Sequence, residues 1–278
     1  MVGATLIEHI LLFGEINEGY SMKINSELPL CILDINNELN EYDFVLFHLY
    51  KSNKAYRDYF LNQRSTNPNR LMIFDNSAYE FYVKGEELNL NEYRIAIEEL
   101  TPDYYILPDK LMDMEATIES SIEFLMNYKP IVCSKPLGVI QGDSEEELLI
   151  CLDEYKKMEI DAIAVPFHNS FYRSYKKSEQ IINDFIDTFE TLTEDHQYAM
   201  GRIAFMMNNK NKFKEFGHVH ILGSHCPFEK LYYKIFNTMD TGYPVKCGIA
   251  GYHMFCEPEK PNIIIDDFMD KELGEKKR

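Results

Sequence analysis

The feature that most constrains this chain is a repeated alternation. A short apolar run stops abruptly at a polar or turn residue, and a charged stretch with helical spacing follows. The runs are 43–50 (DFVLFHLY), 71–75 (LMIFD), 104–109 (YYILPD), 137–141 (LGVIQ), 162–166 (AIAVP), 218–223 (HVHILG) and 237–240 (NTMD). Their length and their β-branched and aromatic content predict strands. Between them, 91–100 (NEYRIAIEEL) sets Tyr93, Ile97 and Leu100 on one side of a helix, and 115–128 has similar spacing. Segment 144–158 opens with Ser144 three residues before Glu147, the signature of a capping box. Helical patterns at 178–192 and 227–236 continue the alternation.

Largely apolar strands that alternate with helices imply parallel strands buried on both faces. An eighth strand in 5–13 or 28–35 completes a (β/α)8 TIM barrel, a single-domain α/β fold. A doubly wound sheet is the alternative, but no GxGxxG or GxxxxGK[ST] follows any run. A barrel of this class accommodates all 278 residues around one core. Residues 1–256 are expected to form the catalytic barrel and 257–278 a charged C-terminal tail.

The formal charge of −18 gives the average surface a repulsion for phosphate, so any nucleic-acid function needs a local basic patch. The candidates are Arg173 with Lys176 and Lys177, then Arg202, then Lys210, Lys212 and Lys214; each also fits an ordinary solvated helix face. Six cysteines without a CxxC pair favour reduced thiols in a cytoplasmic protein. The apolar stretch 4–13 is interrupted by Glu8 and His9, which argues against a signal peptide, and no run approaches the length of a membrane span.

In a (β/α)8 barrel the working residues stand at the C-terminal strand ends and in the loops that follow. Those positions hold Asp75, Asp109, Gln141, Pro166 with His168 and Asn169, Gly223 with His225, and Asp240. Each acid has a plain local reading: Asp75 can cap a helix, Asp109 can start a turn after Pro108, and Asp240 can tighten the turn into Thr241-Gly242. Acids at three separate strand ends also suit chemistry at a sugar anomeric carbon. One carboxylate attacks C1′ while a second handles the leaving group's proton. Water as acceptor makes a hydrolase; a base as acceptor makes a transferase.

Taken in order, 74–80 (FDNSAYE), Pro108-Asp109, 138–142 (GVIQG), 163–165 (IAV), 220–223 (HILG) and 237–244 (NTMDTGYP) resemble the segments of the guanine transglycosylases, over roughly residues 40–250. The resemblance implies that Asp240 is the nucleophile and Asp75 the general acid/base. It implies that Asp109, Gln141 and Gly142 read the base edge, that Tyr79 stacks on the base, and that Ile163, Ala164 and Gly223 line the substrate site. Lys246 would meet a phosphate, with Arg173 and Arg202 as further nucleic-acid contacts. No cofactor is implied.

Three departures from the family pattern stand out. Ser77-Ala78 replaces its paired glycines, and Pro166-Phe167 replaces its Gly-Glu. In place of its zinc cluster there are only Cys247, His253 and Cys256, a spacing that predicts no metal. A compact chain without that cluster looks most like the viral, phage-borne DNA-guanine transglycosylases. The expected reaction is then exchange of guanine in DNA for a 7-deazaguanine of the cyano or aminomethyl type (preQ0 or preQ1), through a covalent Asp–deoxyribosyl intermediate in the host cytoplasm. The alternatives are exchange in tRNA, a carboxylate-pair barrel glycosidase, which the absence of Trp disfavours, and a non-catalytic subunit. A homodimer or a partner protein also fits the chain's acidity; a membrane partner is not expected.

Overall fold

The computed structural model describes residues 22–245, apart from 168–169, 190 and 234–235. Eight parallel strands alternate with helices: β1 (Lys23–Ser26), β2 (Asp43–Leu46), β3 (Met72–Asp75), β4 (Tyr104–Ile106), β5 (Lys135–Val139), β6 (Ala162–Pro166), β7 (His218–Leu222) and β8 (Thr238–Thr241). The order in the sheet is β1-β8-β7-β6-β5-β4-β3-β2. Sequential neighbours with the first strand beside the last define the (β/α)8 TIM-barrel fold; a doubly wound sheet would reverse its strand order.

The eighth strand is not where the sequence pattern sought it. Segment 28–35 holds a 3-10 helix (Leu30–Ile35), and 5–13 lies outside the described residues. The strand is instead KINS, whose Asn25 and Ser26 are polar yet buried. Asn40 accounts for this: its Oδ1 accepts from Ser26 N at 2.6 Å and its Nδ2 donates to Ser26 O at 2.9 Å, as a neighbouring strand would. The run 43–50 is also divided, because β2 ends at Leu46 and helix α1 (Phe47–Ser52) begins at once. An apolar residue continues the core through both, so periodicity alone does not mark the change.

Among the described residues two compact units are distinguished, one drawn from 22–41, 172–208 and 221–245, the other from 42–171 and 209–220. In the second unit α1 is followed by α2 (Lys54–Thr66), α3 (Ala78–Lys84), α4 (Leu90–Leu100), α5 (Met114–Asn127) and α6 (Glu145–Lys157). Its core is aromatic: Phe47, Phe74 and Tyr93 pack edge to face or tilted, with ring centroids 5.0 to 6.0 Å apart. The buried Tyr93 hydroxyl donates to Phe74 O and Ile106 O, which ties α4 to the ends of β3 and β4. Helix α6 starts as the sequence predicts, with Glu147 N donating to Ser144 Oγ at 3.2 Å. The reciprocal arm of the box goes elsewhere: Glu147 Oε2 accepts from Asp143 N.

The first unit contains β1, β8, α7 (Glu179–Thr188) and α8 (Glu194–Asn208). Helix α8 is buried along most of its length, and Gly201 lets it press against the backbone of Tyr172. Next in the chain after Gly201, Arg202 is completely buried and donates through Nε and Nη2 to Glu229 Oε2 at 3.0 and 2.6 Å.

Candidate active site

Two clusters of polar residues gather at strand ends, one in each unit. The first begins with Asp75, the last residue of β3, buried at 7% exposure. Its Oδ2 accepts from Ser77 N at 2.7 Å, a side-chain turn that aims the carboxylate back over the chain. Ser77 has φ 59 and ψ 35, the left-handed conformation that glycine adopts without strain. Ser77 therefore holds a conformation in which glycine is the usual residue. Local hydrogen bonds hold it there: Ser77 Oγ lies 3.1 Å from His48 N and 2.9 Å from His48 Nδ1. The backbone N–H can only donate, so Oγ accepts from it, while the direction of its bond with Nδ1 follows the imidazole tautomer.

Beside this turn, Asn76, Asp109 and Gln141 form a connected network. Asn76 Nδ2 donates to Leu107 O at 2.7 Å and to Asp109 Oδ1 at 2.9 Å, while its Oδ1 accepts from Ala78 N at 2.8 Å. Gln141 Nε2 donates to Asp109 Oδ2 at 2.7 Å, and its Oε1 accepts from Met112 N at 3.0 Å. Both amide side chains are thus fixed in orientation by backbone groups at their other ends. Burial raises the Asp109 carboxyl above its ordinary range, and the donors Asn76 and Gln141 pull it back down. Gly142 follows with φ 152, and a side chain there would meet Glu147 Cβ at 2.6 Å. Tyr79, on the exposed side of α3, is 50% accessible.

The second cluster surrounds Asp240 in β8. β1 runs parallel to it with Asn25 opposite Asp240 and Ser26 opposite Thr241. Gly223, at the end of β7 with φ 62, donates its N–H to Asp240 Oδ1 at 2.8 Å. The side chain of Glu27 and the positive charge of Arg202 both act on the Asp240 carboxyl. Asp240 is 2% exposed, and burial raises its pKa to about 6 against the lowering effects of Gly223, Glu27 and Arg202.

The structure thus brings Asp75, Asp109 and Gln141 into one polar network region and joins Gly223 to Asp240 in the other. Several expected contacts are not of the kind the sequence suggested. Arg202 is no surface phosphate contact, because it is wholly buried against Glu229 and Leu222 O. Ile163 and Ala164 are the second and third residues of β6, fully buried in the strand rather than at its C-terminal end. Arg173 is exposed but paired with Glu194 at 2.9 Å, and Lys212 with Asp153 at 3.0 Å. Lys246, His168, Asn169, Cys247, His253 and Cys256 lie outside the described residues.

Sequence reasoning passed over Asn76, His48 and Glu27. Asn76 stood in plain view directly after Asp75, whereas Glu27 follows a strand too short and polar to recognise. Among the described residues no group of His, Cys, Asp and Glu is placed to hold a metal ion, and no helix is long and apolar enough to cross a membrane. Compared with known protein families the chain matches none, and no curated protein matches it.

Proposed function

We propose that this protein is a guanine transglycosylase acting on DNA, which exchanges guanine for a 7-deazaguanine base. The observation that carries the reading is the Asp109 network. A carboxyl group whose two oxygens each accept from a neutral amide keeps further lone pairs for a ligand, and those amides oppose the rise that burial gives its pKa. Guanine offers two adjacent donors, N1–H and N2–H, to such a carboxylate, and its O6 accepts from an amide. Asp109 and Gln141 supply that complement, with Tyr79 as the stacking surface.

Asp240 supplies the covalent step. Its carboxylate attacks C1′, the C1′–N9 bond breaks, and the bonding pair leaves with guanine, which takes a proton from Asp75. The incoming base then loses its N9 proton to Asp75 and attacks C1′. The ester bond breaks, Asp240 is released as a carboxylate, and two inversions retain the sugar configuration. A pKa of about 6 leaves Asp240 ionised at neutral pH.

Incubation of the protein with duplex DNA, labelled guanine and, separately, a cyano- or aminomethyl-7-deazaguanine tests the proposal. Label enters the DNA of the wild type, and Asp240→Asn lowers the rate by roughly 10⁴-fold or more and traps no adduct. Exchange into tRNA but not DNA moves the activity to the other polymer. Release of free sugar from an oligosaccharide, or activity only after addition of a second chain, overturns it.

A further inference from the structure

Asp75 is held by a neighbour in sequence, and that neighbour is held by another element. β2 and β3 pair in parallel with Leu46 opposite Asp75, so His48 and Ser77 each stand two residues beyond the paired strand ends. Both are buried, His48 at 7% exposure and Ser77 at 0%. Beyond the strand ladder their side chains take over: Ser77 Oγ lies 3.1 Å from His48 N and 2.9 Å from His48 Nδ1.

The contact meets a need on each side. α1 opens directly after Leu46, whose side chain makes no cap, and the first N–H groups of a helix have no partner within it. The Ser77 hydroxyl accepts from one of them. Ser77 for its part is a non-glycine residue at φ 59 and ψ 35, a conformation that needs an anchor. Either state of the imidazole supplies one. An unprotonated Nδ1 accepts the Ser77 O–H, and a protonated Nδ1 donates to the second lone pair of Oγ. Glu80 Oε2 is 4.0 Å from the same nitrogen, beyond hydrogen-bond reach, so Ser77 is the nearer partner.

We propose that His48 is a positioning residue for Asp75: by anchoring the Ser77 hydroxyl it keeps the Ser77 backbone in the left-handed conformation from which its N–H meets Asp75 Oδ2 at 2.7 Å. This rests on Asp75 being the general acid/base of base exchange. A group that gives a proton to guanine and takes one from the incoming base has to be aimed at the base in both halves of the reaction. With Oδ2 bound to Ser77 N, the carboxyl cannot turn about Cβ–Cγ without breaking that bond. Alanine at position 77 has no hydroxyl to anchor, whereas glycine needs no anchor.

Carbon-13 labelling of the aspartate carboxyls in the full chain tests this; the Asp75 signal is the one that Asp75→Asn removes. A backbone N–H given to a carboxylate favours its charged form, so loss of the bond raises the titration midpoint. His48→Leu raises the Asp75 midpoint by about one pH unit, and Ser77→Gly added to it brings the midpoint back towards the wild type. Ser77→Ala and Ser77→Gly repeat the comparison with the imidazole in place: the midpoint rises in the alanine variant and not in the glycine variant. A midpoint unmoved by His48→Leu, one that Ser77→Gly does not restore, or equal midpoints in Ser77→Ala and Ser77→Gly overturns the proposal. In the exchange assay His48→Leu lowers kcat by roughly tenfold or more with little change in KM for the base, and the double variant recovers. The titration stands whether or not exchange is found. A shifted and rescued midpoint in a protein that exchanges no base sinks the exchange reading and leaves the link from His48 to Asp75; exchange with an unmoved midpoint does the reverse.

Discussion

Replacing Arg202 by Met strips the partner from a carboxylate with no route to water. Arg202 and Glu229 are both 0% exposed, and two guanidinium nitrogens donate to Glu229 Oε2 at 3.0 and 2.6 Å while a third donates to Leu222 O at 3.1 Å. Removing one member of a buried pair costs about 3–5 kcal/mol because the other charge stays uncompensated. The freed Leu222 carbonyl adds to the loss, on the order of 1 kcal/mol. About 4 kcal/mol at pH 7 is a large part of a typical total of about 5–15 kcal/mol.

The pH dependence of that loss identifies its source. Burial already raises the Glu229 carboxyl and Arg202 opposes the rise, so without Arg202 the folded-state pKa climbs further above the unfolded value. A raised carboxyl binds more protons folded than unfolded, so the deficit shrinks as pH falls, by about 1.4 kcal/mol per unit, until the unfolded chain is protonated too. Urea unfolding followed by far-UV circular dichroism and tyrosine fluorescence between pH 4 and 8 measures this. The double variant Arg202→Met, Glu229→Leu removes both charges and recovers most of the loss. A single-variant cost under about 1 kcal/mol, a deficit independent of pH, or a double variant no more stable than the single one refutes the reasoning.

Other perturbations separate the remaining contributions. Asp240→Asn stabilises the fold at pH 7 by up to about 3 kcal/mol, because a carboxyl raised to about 6 destabilises the folded state once ionised; the gain fades as pH drops towards 4 in the same unfolding assay. Ser77→Gly loses the hydrogen bonds to His48 but relieves the left-handed backbone, so it unfolds at higher urea than Ser77→Ala, by about 1 kcal/mol; equal midpoints contradict the strain argument. Gln141→Glu sets a second carboxylate against Asp109 Oδ2 in place of a donor. Titration with guanine then shows binding weakened by roughly tenfold or more, and undiminished affinity removes Asp109 from base recognition. Ser144→Ala costs about 1 kcal/mol through loss of the α6 cap, read from the thermal midpoint.

Local chemistry was legible wherever it repeats along the chain. The apolar runs marked seven of the strands, and Ser144 announced α6, because burial on both sheet faces and helix capping act over a few consecutive residues. β1 escaped notice because its polar residues are satisfied by Asn40, fourteen positions from Ser26, which no local pattern reveals. The same distance effect hid Arg202: its charge alone suggested a surface contact, while its partner Glu229 is 27 positions away.

The placement of the acids was legible in the sequence alone, since strand periodicity and the order of elements put Asp75 at the end of β3, Asp109 shortly beyond β4 and Asp240 in β8. Their electrostatic characters were not. Asp109 is governed by amides from two other loops, and Asp240 by a backbone N–H, a buried arginine and the carboxyl of Glu27. A carboxyl's proton affinity depends on what surrounds it within a few ångströms, and only the tertiary structure decides which residues those are.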